Sequence, residues 1–365
     1  MTVMSHDWML VETLGDEPAV VARGDRTTDM VPISTFLRRH PHLMAIQTAI
    51  GETVRAGGGL TSITPKNDRV IRTEVVQMSD GRIHGVHVWL GAPDEEPPPR
   101  PMVGPLIWDL TAGTATDTRE SLVVGGWDPD RQPTHGRAFV DDLPRRDLKP
   151  SEAQVLSMII EPQVGVSICN TWDVTDYRGE QITVGFVARS VPEVFDDGSE
   201  HLICRAMNWR SVREGSGIQH DLLAQKIIEG LAVPGVHRAL VDPRHWTLLK
   251  WLDEPAPFFD WRAGLVSIEA VHPDDRAAMA AMAAEFDAGV TSGVLRVLDR
   301  SRRWTPIHVT VHRVELDDGV YAGLAALREP TAVELSTVGL DGDRPAERTR
   351  KSYSRKGRSA DAGKA

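Results

Sequence analysis

The chain has 365 residues, of which 41% are hydrophobic and 25% charged, and a formal net charge of −11. This composition is typical of globular domains and excludes a fully disordered or membrane-embedded chain, while the length predicts two or three domains. No apolar run is long enough to span a bilayer, and residues 1–7 lack the features of a signal peptide. With only two cysteines, Cys169 and Cys204, we expect a reduced, cytoplasmic protein without a disulfide framework.

Two distant segments of the chain resemble each other. Residues 8–19 and 246–256 each begin with Trp, contain Leu residues and end in Asp-Glu-Pro-Ala. Each is followed by a His-Pro pair, an Ala-rich amphipathic stretch, and strand-like runs joined by an acidic-Gly turn. The shared order predicts a duplicated domain in which Trp8 and Trp246 are equivalent.

Each copy is predicted to contain a strand, then a helix, then an antiparallel meander of three strands. In the second copy Pro273 suits the first turn of a helix, and Asp274 and Asp275 suit the positive end of its dipole. Alternating apolar residues then predict strands, most clearly at residues 304–314. This order predicts an α+β fold in which helices pack on an antiparallel sheet.

A different unit lies between the copies. A Pro-rich run at residues 97–101 predicts an extended linker, and the pattern Ser151-Glu-Ala-Gln154 predicts the start of a helix. Strands are predicted at residues 164–168, 181–187 and 201–209, again giving helices on an antiparallel sheet. We expect Cys169 and Cys204 on neighbouring strands, either as small buried residues or as a redox pair.

Apolar residues recur at helical spacing through residues 218–233. This pattern predicts an amphipathic helix that connects the middle unit to the second copy. Its apolar stripe either docks on a neighbouring domain or pairs two chains, which leaves a homodimer open.

The run from His272 to Arg276, His-Pro-Asp-Asp-Arg, begins a pattern that continues through Arg296, Trp304 and Tyr321-Ala-Gly-Leu. It resembles a PAS domain of the HPDD(R)…R…W kind. The first copy resembles a PAS domain more weakly, because His-Pro-His-Leu replaces His-Pro-Asp-Asp. The middle unit resembles a GAF domain by its order of elements, with a third PAS-like domain as the alternative.

As a whole, the chain resembles a mycobacterial family of triple sensor-domain proteins, PAS–GAF–PAS, without an assigned catalytic activity. The resemblance implies a signalling role in which a small molecule is sensed or a partner is bound. The predicted segments are a PAS-like domain at 6–93, a Pro-rich linker at 94–103, a GAF-like domain at 104–213, a connecting helix at 214–234, a PAS-like domain at 235–330, and a disordered basic tail at 331–365.

The sequence contains no phosphate-binding loop, dinucleotide fingerprint, nucleophile elbow or zinc-protease motif. We therefore expect no enzyme, and we expect any output to pass through a protein partner. The tail has eight basic and five acidic residues, which leaves −14 on the rest of the chain. A body of that charge repels nucleic acid.

Histidine is the residue type most suited to a cofactor here. His40 and His42 are expected to point apart at a helix start, so they cannot chelate one metal. A single-ligand haem stays open in the middle unit, with His135 and His201 as candidates, because GAF and PAS domains of other sensors bind haem through one His. No other cofactor is indicated, and no metal site is predicted.

Ten of the aromatic residues are Trp, and several cluster in residues 246–261 and in the strands of the middle unit. Aromatic residues dominate core burial, but in PAS and GAF domains some line an apolar cavity within the cupped sheet. The candidates for a pocket that takes a small apolar ligand are Trp251, Phe258, Phe259, Trp172, Phe186 and Trp209. Three hypotheses follow: a sensor that regulates a partner, a ligand-free interaction scaffold, or an unrecognised enzyme.

Overall fold

The computed structural model describes residues 7–66, 68–138, 150–212, 226, 230–242, 246–261, 270–317 and 319–340. Within these residues the chain forms three antiparallel sheets with helices, which confirms an α+β protein of three sheet-based domains. No helix among them is long and apolar enough to cross a membrane. Most of the predicted connecting helix at 214–234 lies outside the described residues.

The first sheet belongs to the N-terminal domain and has the order β3-β2-β1-β6-β5-β4. Helix α2 covers one face, where Ile46 and Ile50 pack against Val11 and Val86. The helix ends at Gly57, whose φ of 70° requires the left-handed conformation that glycine adopts readily. The elements are β1 Met9–Glu12, β2 Ala19–Arg23, β3 Arg26–Pro32, α1 Ile33–Phe36, α2 Leu43–Ala56, β4 Leu60–Ile63, β5 Val70–Gln77 and β6 Ile83–Gly91.

The second sheet belongs to the middle domain and has the order β10-β11-β12-β7-β8-β9. When strands are numbered within each domain, this order is 3-2-1-6-5-4, the same as in the N-terminal sheet. The elements are β7 Val103–Asp109, β8 Thr114–Asp117, α3 Arg119–Val124, β9 Arg137–Ala138, α4 Pro150–Ile160, β10 Ser167–Thr175, β11 Gln181–Val194 and β12 Glu200–Arg210.

The third sheet belongs to the C-terminal domain and has the order β14-β13-β17-β16-β15. Among the described residues, which leave out 262–269, it repeats the order of the other two sheets without a counterpart of their third strand. The elements are β13 His237–Asp242, β14 Thr247–Trp251, a 3₁₀ turn Pro273–Asp275, α5 Arg276–Glu285, a 3₁₀ turn Phe286–Ala288, β15 Val290–Leu298, β16 Trp304–Asp317, β17 Val320–Arg328 and α6 Ala332–Thr337.

The two end domains share a topology, but the predicted equivalence of Trp8 and Trp246 is wrong. Trp8 leads into β1, which lies between β2 and β6, whereas Trp246 leads into β14, which pairs with β13 and corresponds to β2. A one-residue register shift follows Leu10 in β1 and Leu240 in β13, and this matching bulge identifies β13 as the counterpart of β1. Aligning the two sequences on their shared Asp-Glu-Pro-Ala run had paired β1 with β14, and these strands have different positions in their sheets.

The second half of the predicted repeat is in equivalent places. His40-Pro41 precedes α2 and the strands β4 to β6, and His272-Pro273 precedes α5 and the strands β15 to β17. The strand order and this helix-meander succession therefore relate the two ends, while the Trp motif does not.

Buried interfaces join the three domains. The N-terminal and middle sheets pack face to face, with Leu10 and Val76 against Val187, Met207 and Trp209. On its opposite face the middle sheet packs on α4, and α4 packs in turn on the C-terminal sheet. These contacts resemble those of a single core more than those of domains on flexible linkers.

The segment after β17 departs from the predicted disordered tail at 331–365. Residues Ala332–Thr337 form α6, and Thr331 and Glu334 form a capping box at its start. Arg328 binds Glu334 through its guanidinium group and lowers the pKa of that carboxyl. The pattern Thr331-x-x-Glu334 was visible in the sequence. Residues 341–365 lie outside the described part.

Candidate functional site

The C-terminal candidates, Trp251, Phe258 and Phe259, do come together. β14 and the segment after it place them with Trp261 over one face of the C-terminal sheet. The rings of Trp251 and Trp261 meet edge to face, with centroids 5.4 Å apart. Trp251 is only 5% exposed, and its Nε1 has no hydrogen-bond acceptor among the described residues. Because a buried indole N–H usually has a partner, this donor is a chemically unsatisfied group of the cluster.

The middle-domain candidates lie on two different faces. Trp172 and Phe186 face α4, with ring centroids 4.2 Å apart and planes tilted by 45°, within the core that also holds Trp108. Nε1 of Trp172 also lacks an acceptor among the described residues. Trp209 faces the N-terminal domain instead, and its Nε1 donates to Thr27 Oγ1 at 3.1 Å. The six predicted residues therefore do not form one site.

A buried polar cluster at the interface between the N-terminal and middle domains was not predicted. Arg205 of β12 donates to both carboxylate oxygens of Glu193 and binds Asp80 at 2.7 Å. Its Nη1 also donates to His84 Nε2 at 3.1 Å, and His84 Nδ1 donates to the carbonyl of Ala206 at 2.8 Å. His84 is thus held in its neutral form, and burial lowers its pKa to about 4.

Two buried histidines, His84 of this cluster and the nearby His87, predict a pH dependence of stability. Burial lowers the pKa of His84 to about 4 and that of His87 to about 3, below the ordinary value of 6.5. At pH values between the folded-state and the ordinary pKa, the unfolded chain binds more protons than the folded one. The free energy of unfolding therefore decreases as pH falls from 6.5 toward 4. We expect each histidine to contribute a loss of roughly 2–3 kcal/mol by pH 4.5. Urea titrations at pH 7 and 4.5 measure this loss.

The variant His84→Asn is the control for that dependence. Asn can still donate to the Ala206 carbonyl but does not titrate, so its loss between the two pH values should be smaller than that of the wild type. Equal losses in the two proteins would contradict the role assigned to His84.

The haem candidates lie apart from the apolar cores. His135 is exposed and hydrogen-bonds to Thr134 Oγ1 at 2.8 Å. His201 Nδ1 is 2.6 Å from the Asp109 carboxylate, and its ring contacts Phe195. Haem binding by either ring gains no support from this geometry. In the described ranges no three metal-binding side chains come together.

The prediction for His40 and His42 is wrong in its geometry. The rings lie 5.6 Å apart between centroids, because both residues precede α2 and occupy a turn at Pro41 instead of a helix. His42 Nε2 lies 3.5 Å from the Asp68 carboxylate, so the pair belongs to a polar surface turn.

The cysteines are not on neighbouring strands, because β11 lies between β10 and β12. Cys169 faces the N-terminal domain, where its Sγ donates to the Thr28 carbonyl at 3.2 Å, and Cys204 faces α4, 4.0 Å from Met158. Burial raises the pKa of both thiols to about 12. Two buried thiols on opposite faces of a sheet cannot form a disulfide or act as nucleophiles.

The HPDD run has a structural role in the C-terminal domain. Asp275 accepts from the backbone N–H of Arg296 at 2.6 Å and from its guanidinium Nη2 at 2.7 Å. His272 accepts from the N–H of Asp274, and its ring meets Trp304 edge to face. The run therefore fastens the start of α5 to β15.

A polar cleft at the end of the middle sheet was also missed. It has a volume of about 320 Å³ and brings a carboxylate and a guanidinium near hydroxyl groups. Its lining consists of Asp173, Gln181, Ile182, Thr183, Arg210 and Ser211. Thr183 Oγ1 already donates to Asp173 at 2.6 Å, so part of this polar capacity is used internally.

Comparison with known proteins matches nearly the whole chain to models of one protein family. Residues 7–99 match the N-terminal domain, 102–211 the middle domain and 221–338 the C-terminal domain of the Rv3651-like family. The chain belongs to the Rv3651-like family. None of the functionally curated proteins matches it.

A crystal structure of an uncharacterized protein from Mycobacterium tuberculosis is similar over the whole of that chain and 92% of this one. The two sequences are 54% identical, and the TM-score is 0.83. This similarity shows that the three-domain fold is common to both proteins.

More distant structures include a sensory box histidine kinase/response regulator from Burkholderia thailandensis, at 10% identity and a TM-score of 0.21. It covers 35% of this chain and 88% of that one. An RNA-binding light-oxygen-voltage receptor covers 92% of this chain and 98% of that one, at 9% identity and a TM-score of 0.23. Neither likeness is close enough to bear on function.

Each range matched to the Rv3651-like family contains one of the three sheets. The C-terminal range ends at residue 338 and therefore includes α6. The family's C-terminal domain thus extends past the point where the sequence suggested a tail.

Proposed function

We propose that this chain is a non-catalytic regulatory protein of three sensor-type domains, PAS-like at the ends and GAF-like in the middle. Its output passes to a protein partner under the control of a small apolar ligand. The observation that carries the proposal is the use of one sheet topology three times, each time with a helix before the last three strands. Sensor domains of the PAS and GAF type hold ligands within such a cupped sheet.

The C-terminal aromatic cluster, defined as Trp251, Phe258, Phe259 and Trp261, is the ligand site that the geometry supports best. Leaving a buried N–H donor without a partner costs about 1–3 kcal/mol. A flat apolar ligand with one acceptor atom would satisfy Nε1 of Trp251 while its body packs against the neighbouring rings.

A ligand-free scaffold is the second candidate, and the middle domain favours it. There the rings of Trp172 and Phe186 pack against each other in the core under α4, and Nε1 of Trp209 donates to Thr27 of the N-terminal domain. A domain whose aromatic residues are used in this way serves to hold its neighbours in place.

Native mass spectrometry of the purified full-length chain tests the proposal, with Trp251→Phe as the variant. Phe keeps most of the ring volume but removes the N–H donor. Trp304→Phe is the matched control, since Trp304 lies in the same domain outside the cluster and is more exposed. We expect a noncovalently bound mass on the wild type and on Trp304→Phe that is lost from Trp251→Phe.

A wild-type chain without bound mass would overturn ligand control and support the scaffold. Bound mass that survives Trp251→Phe would overturn the assignment to the C-terminal aromatic cluster. Turnover in an unbiased metabolite screen, abolished by one substitution, would overturn the non-catalytic assignment.

A further inference from the structure

Helix α4 is shared between two domains. Gln154 is the only residue of Glu152–Ile160 with a largely exposed side chain, and a helix buried on all sides lies inside a core. Met158 contacts Cys204 of the middle sheet, while the same apolar core includes Leu240 and Ala322 of the C-terminal sheet. The helix therefore forms a common layer between the two sheets.

A buried ion pair fastens this layer to β14. Lys250 Nζ binds the Glu152 carboxylate, and the two side chains are only 2% and 3% exposed. A buried pair of this kind is costly to break, because both charges lie away from water and lose their mutual attraction. A displacement of Lys250 is therefore transmitted to Glu152 and α4.

One face of β14 lies in the C-terminal aromatic cluster, and the other face contacts α4. Trp251 belongs to the C-terminal aromatic cluster, and the preceding residue, Lys250, points to the other side of the sheet and into the layer with α4. Cα pairing confirms this alternation, with Trp251 opposite Ala239 and Lys250 opposite Leu240. One strand thus connects the ligand candidate to the domain interface.

β14 is also built to shift more easily than its neighbours. Among the described residues it pairs with β13 alone, and it has a one-residue bulge opposite Leu240 and Val241. Trp246, at its entry, has a φ of 56°, a strained value for a residue with a bulky side chain.

We propose that β14 couples the C-terminal aromatic cluster to the middle domain, with Lys250 and Glu152 as the positioning pair. A change in the packing of Trp251 shifts Lys250, and the ion pair carries that shift to α4. The inference rests on the proposed function for its physiological meaning, but the coupling itself is a property of the unliganded chain. Because coupling between sites is reciprocal, it can be measured from either end.

Hydrogen exchange of the full-length chain, followed by mass spectrometry, tests the coupling without any ligand. We expect Trp251→Phe to raise the exchange rate of amides in α4 by roughly fivefold or more. The matched control is Met282→Ala, which truncates a side chain of the same apolar core beside Gly293 of β15, at the opposite edge of the sheet. This control should leave exchange in α4 unchanged.

The double variant Glu152→Leu/Lys250→Met keeps the layer apolar and removes both charges of the pair. In that background we expect Trp251→Phe to have no effect on exchange in α4. An effect of Trp251→Phe equal to that of Met282→Ala, or one that persists in the double variant, would overturn the proposal. If the wild type carries no ligand in native mass spectrometry, the ligand hypothesis fails and this coupling still stands or falls on the exchange data.

Discussion

Replacing Lys250 with Met is expected to lower the free energy of unfolding by about 3–5 kcal/mol. The substitution leaves the Glu152 carboxylate in the core between two domains without the ammonium group that balances its charge. The side chain of Met has nearly the volume of the Lys stem, so the loss reflects charge and not a cavity. Denaturation by guanidinium chloride, followed by circular dichroism, gives the value.

Two further variants separate charge from packing in that experiment. Lys226→Met removes a lysine from an exposed position and should change stability by less than about 0.5 kcal/mol. The double variant Glu152→Leu/Lys250→Met should recover most of the loss, because both charges of the pair are removed together. If Lys250→Met and Lys226→Met are equally stable, the ion pair does not hold the domains together.

Replacing Gly85 with Ala is expected to destabilise the protein by about 3 kcal/mol. A Cβ at this position would lie 2.6 Å from the backbone oxygen of Val11 and 2.7 Å from the Met207 side chain. The thioether could rotate away, but the backbone oxygen is fixed by the pairing of β1 with β6. The pairing of β1 with β6 would therefore have to distort. Urea denaturation of the full-length chain measures the loss.

Gly58→Ala is the matched control for this substitution. Nothing lies within 4 Å of a Cβ at Gly58, and its φ is outside the left-handed region, so the change should be neutral or slightly stabilising. Equal stability of the two variants would contradict the close approach of β1 to β6 at Gly85.

Local pattern predicted some elements of the fold and missed others, among them the strands β2, β3 and β13. Alternation of apolar residues indicated the strand Trp304–Asp317, and Pro273 with the acids after it indicated the start of a helical segment. Local pattern did not predict the order of the strands in the sheets. Trp246 precedes a strand, as predicted, but a strand's place in the sheet depends on pairing with residues distant in sequence, which its own composition does not encode.

For the candidate site too, the sequence predicted which residues are buried but not which residues they contact. Burial of Trp251, Trp172 and Trp209 follows from residue type, since large aromatic side chains dominate cores. Which face each one occupies depends on the neighbouring domain. Lys250 was visible as a charged residue inside the apolar run Leu-Leu-Lys-Trp, yet its partner lies 98 positions away and no local pattern points to it.

The packing of the three sheets into one body is tested most directly by calorimetry of the full-length chain. Because the middle sheet shares buried cores with both neighbours, we expect one cooperative transition, with the calorimetric and van't Hoff enthalpies nearly equal. Two or three separate transitions, each with the enthalpy of a single domain, would contradict it.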